Sequence, residues 1–317
     1  MREITRLPKL SPRKPDTHKG DYGRVLVVAG SVGMTGAAYL CSKAALRSGA
    51  GIVTLGTPES LYAIMSIKLT CCMVHPLPET DARSLSDAGK QQILALSEKH
   101  DVVAVGPGIS LHPETKRLVL WLLQTIDKPI VLDADGINAV DDDLYALESA
   151  KREVVLTPHP GEMARLGKFS SPAEVQKNRL KIAMRFAQRE GIVLVLKGHQ
   201  TLVTDSQNLY VNTTGNPGMA TAGAGDVLTG IIAGLIGQGF SAFEAAQLGT
   251  YIHGLAGDIA KKRKGEIGMI ASDILDSVPR AFRIYAVEQA RTSKVPEPPR
   301  PAEKRSEGKE GTAEKSR

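Results

Sequence analysis

The sequence predicts an α/β protein with a mostly parallel central sheet and helices on both faces. Three observations lead there. Six short runs, at residues 24–29, 52–56, 102–105, 130–132, 154–156 and 193–196, are rich in β-branched residues and apolar nearly throughout, as strands buried on both sides are. Between them lie stretches of helical apolar spacing, at 35–48, 85–99, 114–125 and 173–189. That alternation is the pattern of parallel strands joined by helical crossovers. The third observation is that several runs end in glycine-bearing loops, the place where open α/β sheets bind ligands.

Beyond Thr201 the pattern changes to a hairpin-like pair, 201–204 and 209–212, and then to helices at 225–237, 242–262 and 271–289. One domain spanning 18–290 accounts for all of these elements, and residues 1–17 read as an N-terminal extension. From 293 the chain turns to Pro, Glu, Lys, Arg and Ser with almost no apolar residue. Nothing there offsets the entropy of ordering the backbone, so 291–317 is expected to be a disordered charged tail.

The 317 residues are enough to bury a substantial core, and 42% apolar with 23% charged residues is the composition of a soluble globular protein. The net charge is +6 and the isoelectric point about 9.1, yet Lys and Arg are scattered rather than gathered with aromatics in one patch, so no nucleic-acid partner is expected. Three cysteines, Cys41, Cys71 and Cys72, make neither a disulfide framework nor a zinc site, which fits a reducing compartment. Core packing is the expected role of Cys71, Cys72 and Trp121. Residues 1–19 lack an apolar stretch of signal-peptide length, and no later run spans a bilayer without charge. The expected location is cytoplasmic, with no membrane partner.

The densest glycine segment runs from Asn212 through Thr214-Gly215-Asn216-Pro217-Gly218 to Gly223-Ala224-Gly225-Asp226, where an apolar helix begins. Residues without side chains let backbone N–H groups approach an anion, and a helix start adds its positive dipole end. Asp226 would stand beside such an anion, within reach of a hydroxyl that must lose its proton. Helix capping and a tight turn account for one or two of these glycines, not for all of them. The spacing is not that of a Walker A loop, and Gly30-Ser31-Val32-Gly33-Met34-Thr35-Gly36 after the first strand departs from the dinucleotide fingerprint.

Gly106-Pro107-Gly108 closes the third strand and Thr157-Pro158-His159-Pro160-Gly161-Glu162 the fifth, so both loops should share one sheet edge. His159 could meet a ligand or be a loop histidine with no task. Glu162 could hold magnesium, directly or through water, or cap a short helix at 162–166. Asp133 and Asp135 could serve substrate, metal or a turn. Lys197, leading into Gly198-His199-Gln200-Thr201, reads as a phosphate or ribose contact at a strand end.

Together these segments, with His18-Lys19-Gly20-Asp21-Tyr22-Gly23 and Ala37-Ala38, resemble the NAD(P)H-hydrate dehydratases, relatives of ribokinase, from about His18 to Phe282. The resemblance implies a ribokinase-like three-layer sandwich. It implies repair of NADHX and NADPHX, in which water added to the reduced nicotinamide ring leaves a hydroxyl on C6. ADP or ATP phosphorylates the hydroxyl of the S epimer, and phosphate is then eliminated. By the same resemblance Asp226 is the catalytic base, Ala37, Gly106, Gly108, His159 and Asp226 line the hydrate site, Lys197, Gly198, His199, Gln200, Thr201 and Gly225 hold the nucleotide, and Glu162 lies at a Mg2+ position. His159 stands where ribokinase relatives have the asparagine of their metal motif. Ala224 replaces the Thr or Ser more usual in the dehydratases, which keeps a kinase of a small hydroxylated metabolite as the alternative. A homotetramer is implied, as is a separate epimerase chain, since eighteen leading residues are too few to form that domain.

Overall fold

The computed structural model describes residues 2–292, so the expected tail at 291–317 lies outside the described residues except for Arg291 and Thr292, which continue a helix. The strands are β1 (Arg2–Glu3), β2 (Arg24–Val28), β3 (Ile52–Pro58), β4 (Met73–Leu77), β5 (Val102–Val105), β6 (Ile130–Leu132), β7 (Val154–Leu156), β8 (Val193–Leu196), β9 (Leu202–Thr204) and β10 (Asn208–Val211). The first six helices are α1 (Thr35–Arg47), α2 (Tyr62–Lys68), α3 (Lys90–Ser97), α4 (Pro113–Thr125), α5 (Asp135–Ala139) and α6 (Tyr145–Glu148). The rest are α7 (Pro160–Leu166), α8 (Pro172–Lys177), α9 (Arg179–Glu190), α10 (Ala224–Gly237), α11 (Ala242–Lys264) and α12 (Ala271–Thr292).

All strands join one sheet in the order β1-β10-β9-β8-β7-β6-β5-β2-β3-β4. From β2 to β8 every pairing is parallel, and β9 runs antiparallel to both β8 and β10. Alternate side chains of each strand point to opposite faces, so Val25 and Val27 pack with α1, α10, α11 and α12, whereas Leu26 and Val28 pack with α3, α4, α7 and α9. The result is three layers with an apolar core on each side of the sheet. The chain builds β2, β3 and β4 outward and then returns to place β5 on the other side of β2. The loops leaving β2 and β5 stand at the carboxyl ends of neighbouring strands from which the sheet is built in opposite directions, the place where open α/β sheets bind ligands.

Two strands escape a sequence reading. In β4 the run Met-Val-His-Pro-Leu carries Pro76 and no alternation, and it becomes a strand by pairing with β3 along the sheet edge. The two polar residues of β1 pair with β10, so the extension 1–17 is tied to the domain. Tyr285 donates to the Pro8 carbonyl at 2.7 Å and Gln247 to that of Arg6 at 3.1 Å, holding the rest of that arm. The helical stretch 173–189 divides into α8 and α9 at Asn178, whose φ of −121° breaks the ladder. Helix α3 starts only at Lys90, because Ser86 caps a short 3-10 turn and donates to Glu114. Cys71 is exposed, contrary to the core role expected of it, because it lies in the turn leading to the edge strand; Cys72 and Trp121 are partly buried against the two cores.

Helices α1 and α10 approach closely through Gly230, where a Cβ would lie 2.1 Å from the Cys41 carbonyl oxygen. A side chain here forces two helices apart, and overpacking of a buried contact costs about 1–3 kcal/mol, more than the few tenths gained in helix propensity. Gly230→Val is expected to lower stability by at least that amount in urea unfolding, whereas the same change at Gly36, with open space around its Cβ position and ordinary helical φ, does not produce a packing clash.

Candidate active site

The loops that follow β2, β5, β6, β7 and β8 gather at the carboxyl ends of the parallel strands, together with the start of α10. Among them Asp133, just past β6 and 1% exposed, accepts three side-chain hydrogen bonds. Thr157 Oγ1 donates to Oδ1 at 2.7 Å, Lys197 Nζ donates to the same oxygen at 2.9 Å, and Thr229 Oγ1 donates to Oδ2 at 2.7 Å. Three neighbouring strand ends and the first turns of α10 thus meet on one carboxylate. Burial pushes Asp133 up, but the Lys197 charge and these hydrogen bonds outweigh it and hold the carboxyl below its ordinary range. Burial likewise lowers Lys197, and the charges of Asp133 and Glu162 reverse that and raise it. The two directions agree: the pair is ionised.

Asp226 lies in the first turn of α10 and has no hydrogen-bond partner among the described residues. Burial first, then the charge of Asp133, push its carboxyl up to about 7, with Lys197 opposing. Asp226 therefore exchanges its proton near neutrality, as a base for a hydroxyl requires. A Cβ on Gly225 would stand 3.2 Å from Lys197 Nζ and 3.7 Å from Asp133 Oδ2, which puts the helix start directly over the ion pair. The Ala224 N–H is spent on the Thr221 carbonyl at 3.3 Å, so the anion-facing role expected of 223–225 narrows to the N–H groups of Gly223 and Gly225. Behind them, His253 is pressed against the Ala224 backbone, and burial lowers its imidazole to about 4, leaving it neutral.

The loops expected to bind substrate are interlocked. Gly108 has φ of +64° and would place a Cβ 3.1 Å from that of Ala37; Gly106, at φ +125°, would place one 1.9 Å from the Asp133 carbonyl oxygen. Neither position admits a side chain. Ser31 donates to the Gly108 carbonyl at 2.9 Å, and Asp135 accepts the Ser110 N–H at 2.9 Å, so Asp135 fixes a turn. Ala134 between the two aspartates is held at φ +50° and directs them to their separate tasks.

His159 and Glu162 cap α7 reciprocally. His159 Nδ1 accepts from the N–H groups of Gly161 and Glu162 at 2.9 and 3.2 Å, and Glu162 Oε2 accepts the His159 N–H at 2.7 Å. The His159 ring is half exposed, and burial, with Lys197 and Arg165 nearby, lowers its pKa. Glu162 Oε2 also lies 3.8 Å from Lys197 Nζ. Among the described residues no three of His, Cys, Asp and Glu gather to hold a metal, so protein donors alone do not fit a resident ion. Gly198, His199 and Gln200 form an exposed turn between β8 and β9, closed by Thr201 Oγ1 donating to the Gly198 carbonyl at 2.9 Å. Lys197 points away from that turn, into the ion pair. Arg179, on the preceding helix and carrying no local signal, supports the turn by donating to the Leu196 and Lys197 carbonyls at 2.9 and 3.2 Å.

Removing one partner of a buried pair strands the other charge, a loss of about 3–5 kcal/mol. Asp133→Ala is expected to lose that much in urea unfolding at neutral pH, and Asp133→Leu combined with Lys197→Met to lose less than Asp133→Ala alone. Because the folded Asp133 is depressed, its contribution is complete above the ordinary carboxylate range and lost as pH falls through its folded value. Acid should therefore destabilise the wild type more than the double variant.

Among the described residues no helix is long and apolar enough to cross a membrane. Residues 25–280 match the family model described as NAD(P)H-hydrate dehydratase. The bifunctional NAD(P)H-hydrate repair enzyme Nnr of Moorella thermoacetica is 48% identical over 277 residues, 87% of this chain and 52% of that protein. The chain spans about half the length of the curated relatives it matches. Among solved structures, the ADP/ATP-dependent NAD(P)H-hydrate dehydratase from Bacillus subtilis, co-crystallised with ATP/Mg2+, is similar at TM-score 0.74 and 30% identity, covering 87% of this chain and 94% of that one. A ribokinase-like superfamily protein from Enterococcus faecalis is similar at TM-score 0.73 and 26% identity, covering 87% and 92%. With the glycine segment and the loops that end β2, β5, β6, β7 and β8 inside the matched span, the chain belongs to the NAD(P)H-hydrate dehydratase family and has its ribokinase-like fold.

Proposed function

We propose that this chain restores NADH and NADPH from the S epimers of NADHX and NADPHX, using a nucleotide to turn the C6 hydroxyl into a leaving group. The observation that carries the reading is Asp226: a partly buried carboxylate with no hydrogen-bond partner among the described residues, pushed up to about 7 at the start of α10. Asp226 takes the hydroxyl proton, and the hydroxyl oxygen bonds to the terminal phosphorus as the bond from that phosphorus to the nucleotide's bridging oxygen breaks. The N–H groups of Gly223 and Gly225, with the Lys197 ammonium behind them, face the charge on the transferring group. The ring nitrogen's electron pair then expels phosphate from C6, and a proton leaves the adjacent ring carbon to restore the double bond.

In this reading Ala37, Gly106, Gly108 and His159 line the hydrate site, and Gly198, His199, Gln200 and Thr201 with Lys197 and Gly225 hold the nucleotide. Magnesium would be held chiefly by the nucleotide's phosphates, with Glu162 the residue on the protein side, and would neutralise phosphate charge; no step here is routed through it. We take ADP as the donor, the cytoplasm as the location, a homotetramer as the assembly, and epimerisation of the hydrate as the work of a separate chain. Ala224, buried at 8% exposure beside the base, is the one feature that favours a kinase of a small hydroxylated metabolite.

Purified protein incubated with NADH hydrate and either ADP or ATP should return the absorbance of reduced nicotinamide only when nucleotide is present, and faster with ADP. No return with either nucleotide would refute the dehydratase, and a stable phosphorylated product would establish the kinase. Asp226→Asn should lower kcat by about 10²–10⁴ while leaving nucleotide binding intact. Since the base must be ionised and its pKa is raised, kcat/KM of the wild type should rise with pH and level off above about 7; a flat profile through that range would remove Asp226 from the role.

A further inference from the structure

The glycine segment between β10 and α10 must be held rigidly to present its N–H groups, and glycines by themselves do not hold a shape. The structure supplies the support from α11. Its residues 254, 257 and 258 share one helix face, being three and four apart. A Cβ on Gly254 would fall 2.2 Å from Thr214 Oγ1, and one on Gly257 2.2 Å from Met219 Sδ, so the segment lies directly on bare helix backbone. Beside that bare track stands Asp258. Its Oδ2 accepts the Gly215 N–H at 2.9 Å, and its Oδ1 accepts from Asn216 Nδ2 at 2.9 Å. Asn216 Oδ1 in turn accepts the Gly218 N–H at 3.1 Å, and Thr214 Oγ1 donates to the Tyr251 carbonyl at 2.8 Å.

We infer that Asp258 is a positioning residue for nucleotide binding: with Asn216 it clamps residues 215–218 to α11 and so fixes where the phosphate-facing N–H groups at Gly223 and Gly225 lie. The inference rests on reading that segment as the phosphate site. Asp258 touches neither substrate nor nucleotide in this role. Its carboxylate is needed as a double acceptor, one oxygen for a backbone N–H and one for a side-chain amide, and no other acidic side chain among the described residues bonds to residues 215–218.

The hydrogen-bond polarity makes the clamp testable by exchange. Asp258→Asn opposes two amide donors, and Asn216→Asp opposes two carboxylates. The double variant, Asn216→Asp with Asp258→Asn, restores every bond with the polarity reversed: Asn at 258 donates to the new carboxylate and still accepts from Gly215, while Asp at 216 still accepts from Gly218. ADP binding measured by calorimetry without any hydrate should weaken about tenfold in each single variant, the scale of one lost charge-assisted hydrogen bond, and return to within about twofold of wild type in the double variant. Melting temperatures are recorded alongside. Single variants that melt earlier but bind ADP as the wild type does, or a double variant no better than the weaker single, would overturn the clamp. Should Asp258→Asn not fold, Asn216→Asp and the double variant decide it on the same criteria. Because the readout is ADP binding, a wild type that binds ADP yet returns no NADH would sink the dehydratase reading and leave the clamp to be judged on its own numbers.

Discussion

The ion pair between Asp133 and Lys197 is the constraint on which the rest of the site depends. Burying a carboxylate and an ammonium costs several kcal/mol per ion, which attraction recovers only if every remaining lone pair finds a donor. Asp133 meets that condition with Thr157, Lys197 and Thr229, one partner from each of two neighbouring strand ends and one from α10. Satisfying one carboxylate therefore fixes the relative positions of β6, β7, β8 and α10. Thr229 also donates to the Gly225 carbonyl at 3.1 Å, so the same network reaches the glycine in the first turn of α10.

The pair divides the labour between two carboxylates. Asp133 has donors on both oxygens and stays ionised, while Asp226, in the first turn of α10 and without such donors among the described residues, is raised to about 7 by burial and by Asp133's own charge. Environments push two neighbouring acids apart in pKa, here one carboxylate held ionised and one that exchanges its proton near neutrality. Lys197 belongs to this arrangement as well. Its ammonium is held beneath Gly225, where it offsets the negative charge that two aspartates and Glu162 bring together.

The placing of these loops follows from strand order. Because β5 returns to pair with β2 on the side away from β3, the loops after β2 and β5 lie side by side, and the Gly30 N–H donates to the Pro107 carbonyl at 2.9 Å while Gly108 packs close to Ala37. Interlocking bonds from Ser31 and Asp135 keep those loops in place. Helix α11 does the same for the glycine segment, through Gly254, Gly257 and Asp258.

By itself the sequence determined the layered α/β architecture, because strands buried on both faces must be apolar throughout and crossover helices must keep one apolar stripe. The runs at 102–105, 130–132, 154–156 and 193–196 coincide with β5, β6, β7 and β8 for that reason. The glycine-dense segment opening an apolar helix was legible too: the expected helix at 225–237 is α10, from Ala224 to Gly237. The edge strands β1 and β4 were not, because their residues carry no strand pattern and pair only when a neighbour is present. Nor were the partners of Asp133, of Lys197 and of Asp258, which lie 24 to 96, 64 and 42 to 43 residues away along the chain. A carboxylate's pKa and an acceptor's purpose are set by what surrounds them in space, and for these residues only the tertiary structure decided that.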